Sequence, residues 1–372
     1  MSEKHIHIVS FDIPWPANYG GVIDVFYKAL ALSQIGVKVH LHCYEYGRPI
    51  APDMNNLFYK VYYYKRDLSI TRFFSKIPYI VSTRNNKLLI KNLLNDDYPI
   101  LMEGLHTTVL LNDKRFINRK KIVRTHNIEH FYYSSLSNIE KNIVKKIYFH
   151  QEAAKLKQYE KVLDKADNIL ALSKEDFKYF SEKYNNVSFV PAFHQNNKVN
   201  IITGRGDYVL YHGHLAVPEN ENAVRFLASH IFKDLKVPFY VAGLNPSKKL
   251  LKFLNSFQNV KVFPNPSYPE MLKLVQNAQI NMLVTFQVTG LKLKLLNSLY
   301  SGRFVIVNDK MIKGSGLESF CERSNKANDL KESVVKIMKK EFSLEMKEVR
   351  SKGLKKMYDN IENAKIISDI IF

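Results

Sequence analysis

Cysteine is almost missing from this sequence of 372 residues: only Cys43 and Cys321 occur, far apart and without metal-ligand spacing. A disulfide framework and a zinc site are therefore both unsupported, and a reducing compartment is expected. No apolar run approaches the roughly 18 residues needed to cross a bilayer, and Met1-Ser2-Glu3-Lys4-His5 has no signal-peptide stretch, so the expectation is a cytoplasmic protein. Acidic residues are scarce, 35 against 55 Lys and Arg, leaving a net charge of +20 and a field that draws anions. A nucleotide, a nucleic acid or a lipid surface would each answer to that field. The three-glycine dinucleotide pattern is absent as well, which disfavours nicotinamide chemistry.

What is present is an ordinary globular balance, 46% hydrophobic and 24% charged, in a chain long enough for two domains. His5 to Phe11 is a strand-like run, a loop holding Gly20-Gly21 follows, and apolar residues recur at helical spacing from Val22 to Gly36 before Val37 to His42 resumes as a strand. That is a βαβ unit, which predicts a parallel sheet. Further strand-like runs lie at Leu57 to Tyr64, Pro99 to Glu103, Lys121 to Arg124, Asn168 to Leu172 and Val187 to Val190. The longest helix is expected from about Ile139 to Asp164. The polar stretch Gln195 to Asp207 lacks an apolar period and is placed as the domain boundary, giving residues 1–195 and 196–353. Beyond it the pattern restarts, with strands at Tyr208 to His212, Phe239 to Ala242, Val260 to Phe263 and Ile280 to Val284, and a helix from Asn222.

Both halves open with a strand running into glycine, where helix N-termini in parallel sheets offer free N–H groups to anions. A second glycine-led helix is expected from Gly290 to Gly302, with Lys292 and Lys294 in its first turns. Cations there oppose the helix dipole unless an anion is near, which points to a phosphate site. His126 closes the run Ile122 to Thr125 and His106 follows the strand ending at Glu103, so both sit where a site residue belongs in this architecture. From Lys60 to Lys91 eight Lys or Arg alternate with Tyr62, Tyr63, Tyr64, Phe73, Phe74 and Tyr79 against a single acid, Asp67. Such a mixture suits the surface of an anionic membrane, or equally a solvated basic face whose aromatics point inward.

Taken in order, the Pro16 to Gly21 loop, Thr125-His126-Asn127-Ile128-Glu129, Ala171 to Asp176, Gly213 with Pro218-Glu219-Asn220, and Gly290 to Val307 carry a resemblance. The chain resembles a GT-B glycosyltransferase, similar to the retaining family-four type, along nearly its whole length. The resemblance implies an α/β fold of two Rossmann-like parallel-sheet domains facing a cleft, with a last helix at about residues 354–372 crossing back onto the N-terminal domain. It implies transfer of a sugar from a UDP- or GDP-sugar to a glycan or lipid-linked acceptor, with retention, no metal and no cofactor beyond the donor.

By the same resemblance Gly20 and Gly21 lie against the donor diphosphate, His126 reaches the transferred sugar, and Gly213 and His214 border the phosphates. Lys294 neutralises the leaving diphosphate, Asn127, Gly290 and Lys292 complete the donor side, and Tyr19 and His106 face the acceptor. Two glutamates usual in the family are replaced by Thr289 and Asn297, which are left to contact a sugar hydroxyl and the ribose through neutral groups. The expected location is peripheral, at the inner face of the membrane. A non-catalytic nucleotide-binding protein and a sugar-nucleotide epimerase using Glu103 and Glu129 stay open as alternatives. Nucleic acid is not expected as a partner, because no recognised module accompanies the basic stretch.

Overall fold

Strand one reads His5-Ile6-His7-Ile8, and the alternation sorts its side chains to opposite faces of a sheet. In the computed structural model, which describes residues 3–140, 142–286 and 293–372, the chain forms two compact units. The first holds residues up to Gln195 and again from Tyr358; the second holds the stretch between.

The first unit is built on β1 (His5–Ser10), β2 (Lys38–Glu45), β3 (Lys60–Lys65), β4 (Ile100–Glu103), β5 (Lys121–Thr125), β6 (Asn168–Ala171) and β7 (Val187–Phe189). Its helices are α1 (Gly20–Gln34), α2 (Tyr79–Ser82), α3 (Lys87–Leu93), α4 (Glu129–Ile139), α5 (Ile143–Tyr159) and α6 (Lys174–Ser181). All strands pair in parallel in the order β3-β2-β1-β4-β5-β6-β7. Ile6, Ile8, Val39 and Leu41 face one core with Phe26, Ala29 and Leu32 of α1. Val9, Tyr44, Val123 and Ala171 face the other with Leu89, Leu93, Leu156 and Phe180.

The second unit holds α7 (Pro218–His230), α8 (Lys248–Leu254), α9 (Tyr268–Asn277), α10 (Leu293–Ser301), α11 (Asp309–Ile312), α12 (Ala327–Met338) and α13 (Leu344–Tyr358). Its strands are β8 (Val209–His214), β9 (Phe239–Leu244), β10 (Val260–Pro264), β11 (Ile280–Leu283), β12 (Phe304–Val307) and β13 (Glu322–Arg323), in the parallel order β10-β9-β8-β11-β12-β13. A core of Val224, Leu227, Leu250, Leu330 and Val334 covers one face of that sheet. Gly243 pairs with Gly213 here, and a Cβ on Gly243 would collide with the Gly213 carbonyl oxygen.

Three expectations change. The long helix expected from Ile139 to Asp164 is not one α-helix: α4 ends at Ile139, Asn142 caps the start of α5 by accepting from Lys145 N, and after Tyr159 the chain tightens into a 3-10 turn at Glu160–Lys165. Helix α7 begins at Pro218 rather than Asn222, since proline suits the first helical position, where its missing N–H has no partner to lose. The C-terminal stretch from Leu354 is not one helix either. Tyr358 ends α13, Asp359 caps α14 (Asn360–Ile371), and α14 buries Ala364, Ile367 and Ile371 against the α1 side of the first unit's core.

Candidate functional site

In each sheet one pair of neighbouring strands marks where the order reverses, β1 with β4 in the first unit and β8 with β11 in the second. Ligands of open parallel sheets bind outside the carboxyl ends of such strands. The predicted residues that the structure describes lie near these two places.

In the first unit β1 runs out through Phe11, whose ring is surrounded by three of them. His106 and His126 each lie 5.3 Å from it, and a Cβ on Gly21 would meet its Cζ at 2.7 Å. Gly21 is thus glycine for packing. Gly20 is different: a Cβ there would enter open space, beside the N-terminal N–H groups of α1, which Tyr19 does not cap with its side chain. Tyr19 instead donates to Asp12 Oδ2 at 2.8 Å and carries the Arg48 guanidinium 5.3 Å over its ring.

His126 Nε2 lies 3.0 Å from Glu103 Oε2. That carboxylate also receives Lys28 Nζ at 2.8 Å, Lys28 bonds Asp24 at 2.9 Å, and Arg124 grips Asp24 through two nitrogens, all four charged groups being fully or almost fully buried. Burial opposes ionisation of Asp24, yet Arg124 and Lys28 outweigh it and hold the carboxyl well below its usual range. Asp24, Glu103 and His126 could present three ligand atoms within 4.8 Å of one another. Lys28 and Arg124 already claim both carboxylates, so the positive charge of this cluster is built into the chain.

The Asn127 side chain hydrogen-bonds Glu129, the first residue of α4. Burial pushes that carboxyl up to about 8 against the pull of Asn127 and Arg84. Its Oε1 lies 4.0 Å from His106 Nδ1. Burial first, then Arg84, keeps His106 well below its ordinary value and so neutral.

In the second unit β8 ends in Gly213-His214 and delivers the chain to α7. Asn220, in the first turn of that helix, ties the region together. Its Nδ2 donates to the His214 carbonyl at 3.0 Å, and its Oδ1 accepts from Lys294 Nζ at 3.0 Å and from Tyr211 Oη at 2.9 Å. Lys294 also sits 4.9 Å over the Tyr211 ring. His212 Nε2 lies 2.9 Å from Ser298 Oγ, fastening α10 to β8, and burial followed by the Lys294 charge pushes His212 down to about 3. Thr285, just past β11, donates to Glu219. Asn245 Nδ2 lies 3.3 Å from His214 Nε2. Asn297 is one turn further along α10, and its Oδ1 accepts from Asn196 at 2.9 Å. Thr289, Gly290 and Lys292 lie outside the described residues.

The sequence reading passed over Phe11, Asp24, Lys28 and Arg124, and gave Asn220 no role. One signal for the first group was available: Asp24 and Lys28 stand four apart within the otherwise apolar face of α1.

No family model matches the chain. An uncharacterized 44.6 kDa protein in the cps region of Klebsiella pneumoniae is 25% identical over 384 residues, covering 98% of each chain. Among solved structures TarM aligns over 100% of this chain and 99% of its own with a TM-score of 0.68 at 10% identity. HepE from Anabaena, solved in complex with UDP and glucose, aligns over 98% of each chain with a TM-score of 0.66 at 8% identity. The likeness is one of architecture, and it gives this chain the GT-B fold, two parallel-sheet α/β domains of seven and six strands.

Proposed function

We propose that this protein is a glycosyltransferase that moves a sugar from a nucleoside-diphosphate sugar to a glycan acceptor carried on a lipid. The observation that carries the reading is the Lys294 ammonium, held beside the carboxyl end of β8 by Asn220 and Tyr211. A fixed cation beside a glycine turn and a helix N-terminus is what a departing diphosphate requires, since charge develops there as the glycosidic bond breaks. Fold likeness to a protein solved with UDP and glucose supports a UDP-sugar as the first donor to test. The relative in a cps region supports a place in polysaccharide biosynthesis.

In this reading the acceptor oxygen forms a bond to the anomeric carbon as the carbon–oxygen bond to the diphosphate breaks, and Lys294 balances the leaving charge. No metal or cofactor is required, because Lys294 supplies the cation. With retention, the proton of the acceptor hydroxyl passes to the departing diphosphate. Gly20 and the open end of α1 would admit the donor's charged part, while His126 contacts the transferred sugar. Tyr19 and His106 border the acceptor.

A second reading is favoured by one contact, the hydrogen bond that His126 Nε2 makes to the Glu103 carboxylate. A carboxylate that orients an imidazole equips it as a general base. The acceptor proton would then pass to His126 and the product would be inverted. The replacement of two glutamates by Thr289 and Asn297 fits either outcome, so the anomeric configuration of the product decides between them.

The function itself is tested by thermal shift with UDP, GDP, ADP and CMP, followed by a transfer and hydrolysis assay with the nucleotide that binds. A ligand bound only by the folded state raises Tm. Stabilisation by UDP or GDP with turnover of the matching nucleotide sugar is the expected result. Binding without transfer or hydrolysis would leave a non-catalytic nucleotide-binding protein, and no binding at all would defeat the reading.

A further inference from the structure

Two segments of the first unit carry large apolar side chains outward. Ile70 and Phe74, the two ends of a short 3-10 turn, are 73% and 85% exposed; Ile143 and Val144, opening α5, are 73% and 76% exposed. The turn is fastened along α5: the Phe73 ring stacks on Tyr79 with centroids 4.0 Å apart, meets Tyr148 edge-on at 5.9 Å, and its carbonyl accepts from Lys155 Nζ at 2.9 Å. Lys76, Lys145 and Lys146 are exposed as well, within two or three residues of these apolar groups in sequence. The two acids of these segments are engaged, Asp67 with Arg72 at 2.6 Å and Glu140 with the Asn142 N–H at 2.9 Å.

The basic aromatic stretch of the sequence is thereby divided. Tyr62 stacks on His42, Tyr64 hydrogen-bonds it, and Tyr63 donates to the Ala51 carbonyl, so these three serve the sheet. Phe74 and Ile70 face outward, and α5 adds a partner surface that lies well beyond Lys91.

We propose that this face docks on the surface of an anionic lipid bilayer, Phe74, Ile143 and Val144 entering the headgroup boundary while Lys76, Lys145 and Lys146 meet lipid phosphates. Charge chooses the occupant. The core of a protein interface is depleted of charge, whereas here Lys145 and Lys146 follow Val144 directly and Lys76 comes two residues after Phe74, as on interfacial amphipathic segments. Among the described residues no helix is long and apolar enough to cross a membrane, so the contact is with one leaflet. The inference stands apart from the sugar-transfer reading, since vesicle binding needs no donor.

The test is sedimentation of the full chain with phosphatidylcholine vesicles, with and without phosphatidylglycerol, at low and raised salt. Binding to the anionic vesicles alone, weakened by salt, is expected. Phe74→Ser combined with Val144→Ser should lower partitioning roughly tenfold or more, by loss of buried apolar area. Lys145→Glu with Lys146→Glu, at exposed positions in the first turn of α5, should abolish the preference for anionic lipid. Absence of sedimentation with anionic vesicles, or equal binding by both variants, would overturn the proposal. So would a light-scattering mass of two chains that Phe74→Ser reduces to one, which would make the face a contact between copies.

Discussion

Glu103 lies between a histidine and a lysine, 3.0 Å from His126 Nε2 and 2.8 Å from Lys28 Nζ, with no exposure of its own. Each neighbour depends on that carboxylate differently. For His126 it sets the ring's orientation and tautomer, and for Lys28 it balances a buried charge.

Glu103→Gln should therefore lower kcat by about a hundredfold or more if His126 moves the acceptor proton, and far less if His126 only contacts the sugar. Transfer rates across pH, together with the product anomer by NMR, check this. Lys28→Met should cost about 3–5 kcal/mol of stability by stranding the buried Glu103 carboxylate without its lysine, while Arg124 stays on Asp24, read by denaturant unfolding.

Lys294→Ala should erase most of the thermal shift given by a nucleoside diphosphate while leaving the unliganded Tm nearly as it was. Of the groups its Nζ bonds, Asn220 and Tyr211 keep each other as partners when it is gone. An unchanged shift would remove Lys294 from the site.

Histidines 7, 40 and 42 line one sheet face with His5: His5 Nδ1 lies 3.0 Å from His40 Nε2, and His7 Nδ1 lies 2.8 Å from His42 Nε2. Asp96 and Tyr64 close the chain of bonds, and Arg119, Tyr59 and Tyr98 pack around it. Burial, then mutual repulsion, lowers His40 to about 4 and His42 well below its ordinary value; His7 falls too, although Asp96 resists. The folded values lie below the unfolded one of about 6.5, so this stability is intact above that pH and is lost as pH falls toward 4. Tm measured from pH 7.5 to 4.5 should drop over that window, and His42→Gln should flatten the slope.

Glu129 moves the other way. Its folded value of about 8 exceeds the unfolded one, so its stabilising share is present at acid pH and is lost as pH rises through 8. Glu129→Gln, which mimics the protonated acid, should raise Tm at pH 9 more than at pH 6.

Gly243→Ala should destabilise the second unit by about 3 kcal/mol, because its Cβ would strike the Gly213 carbonyl in the paired strand and neither backbone can yield without disturbing the ladder. Circular dichroism melting reads this.

Much of the architecture was legible in the sequence for a local reason. Period-two and period-3.6 patterns, glycine turns and proline starts act over a few residues, so the tandem βαβ units, the glycine loops and His126 at a strand end could be placed from neighbours alone. The start of α5 at Ile143 rather than Ile139 was missed because its cause is one side-chain cap, that of Asn142, which a hydrophobic period does not register. What only the tertiary structure decided is contact across long stretches of chain. Lys28 meets Glu103 over 75 positions, Arg124 meets Asp24 over 100 and Lys294 meets Asn220 over 74. Such pairs depend on sheet order, in which β4 lies beside β1 and β11 beside β8, and on burial, which makes a charge seek the single partner the packing leaves within reach.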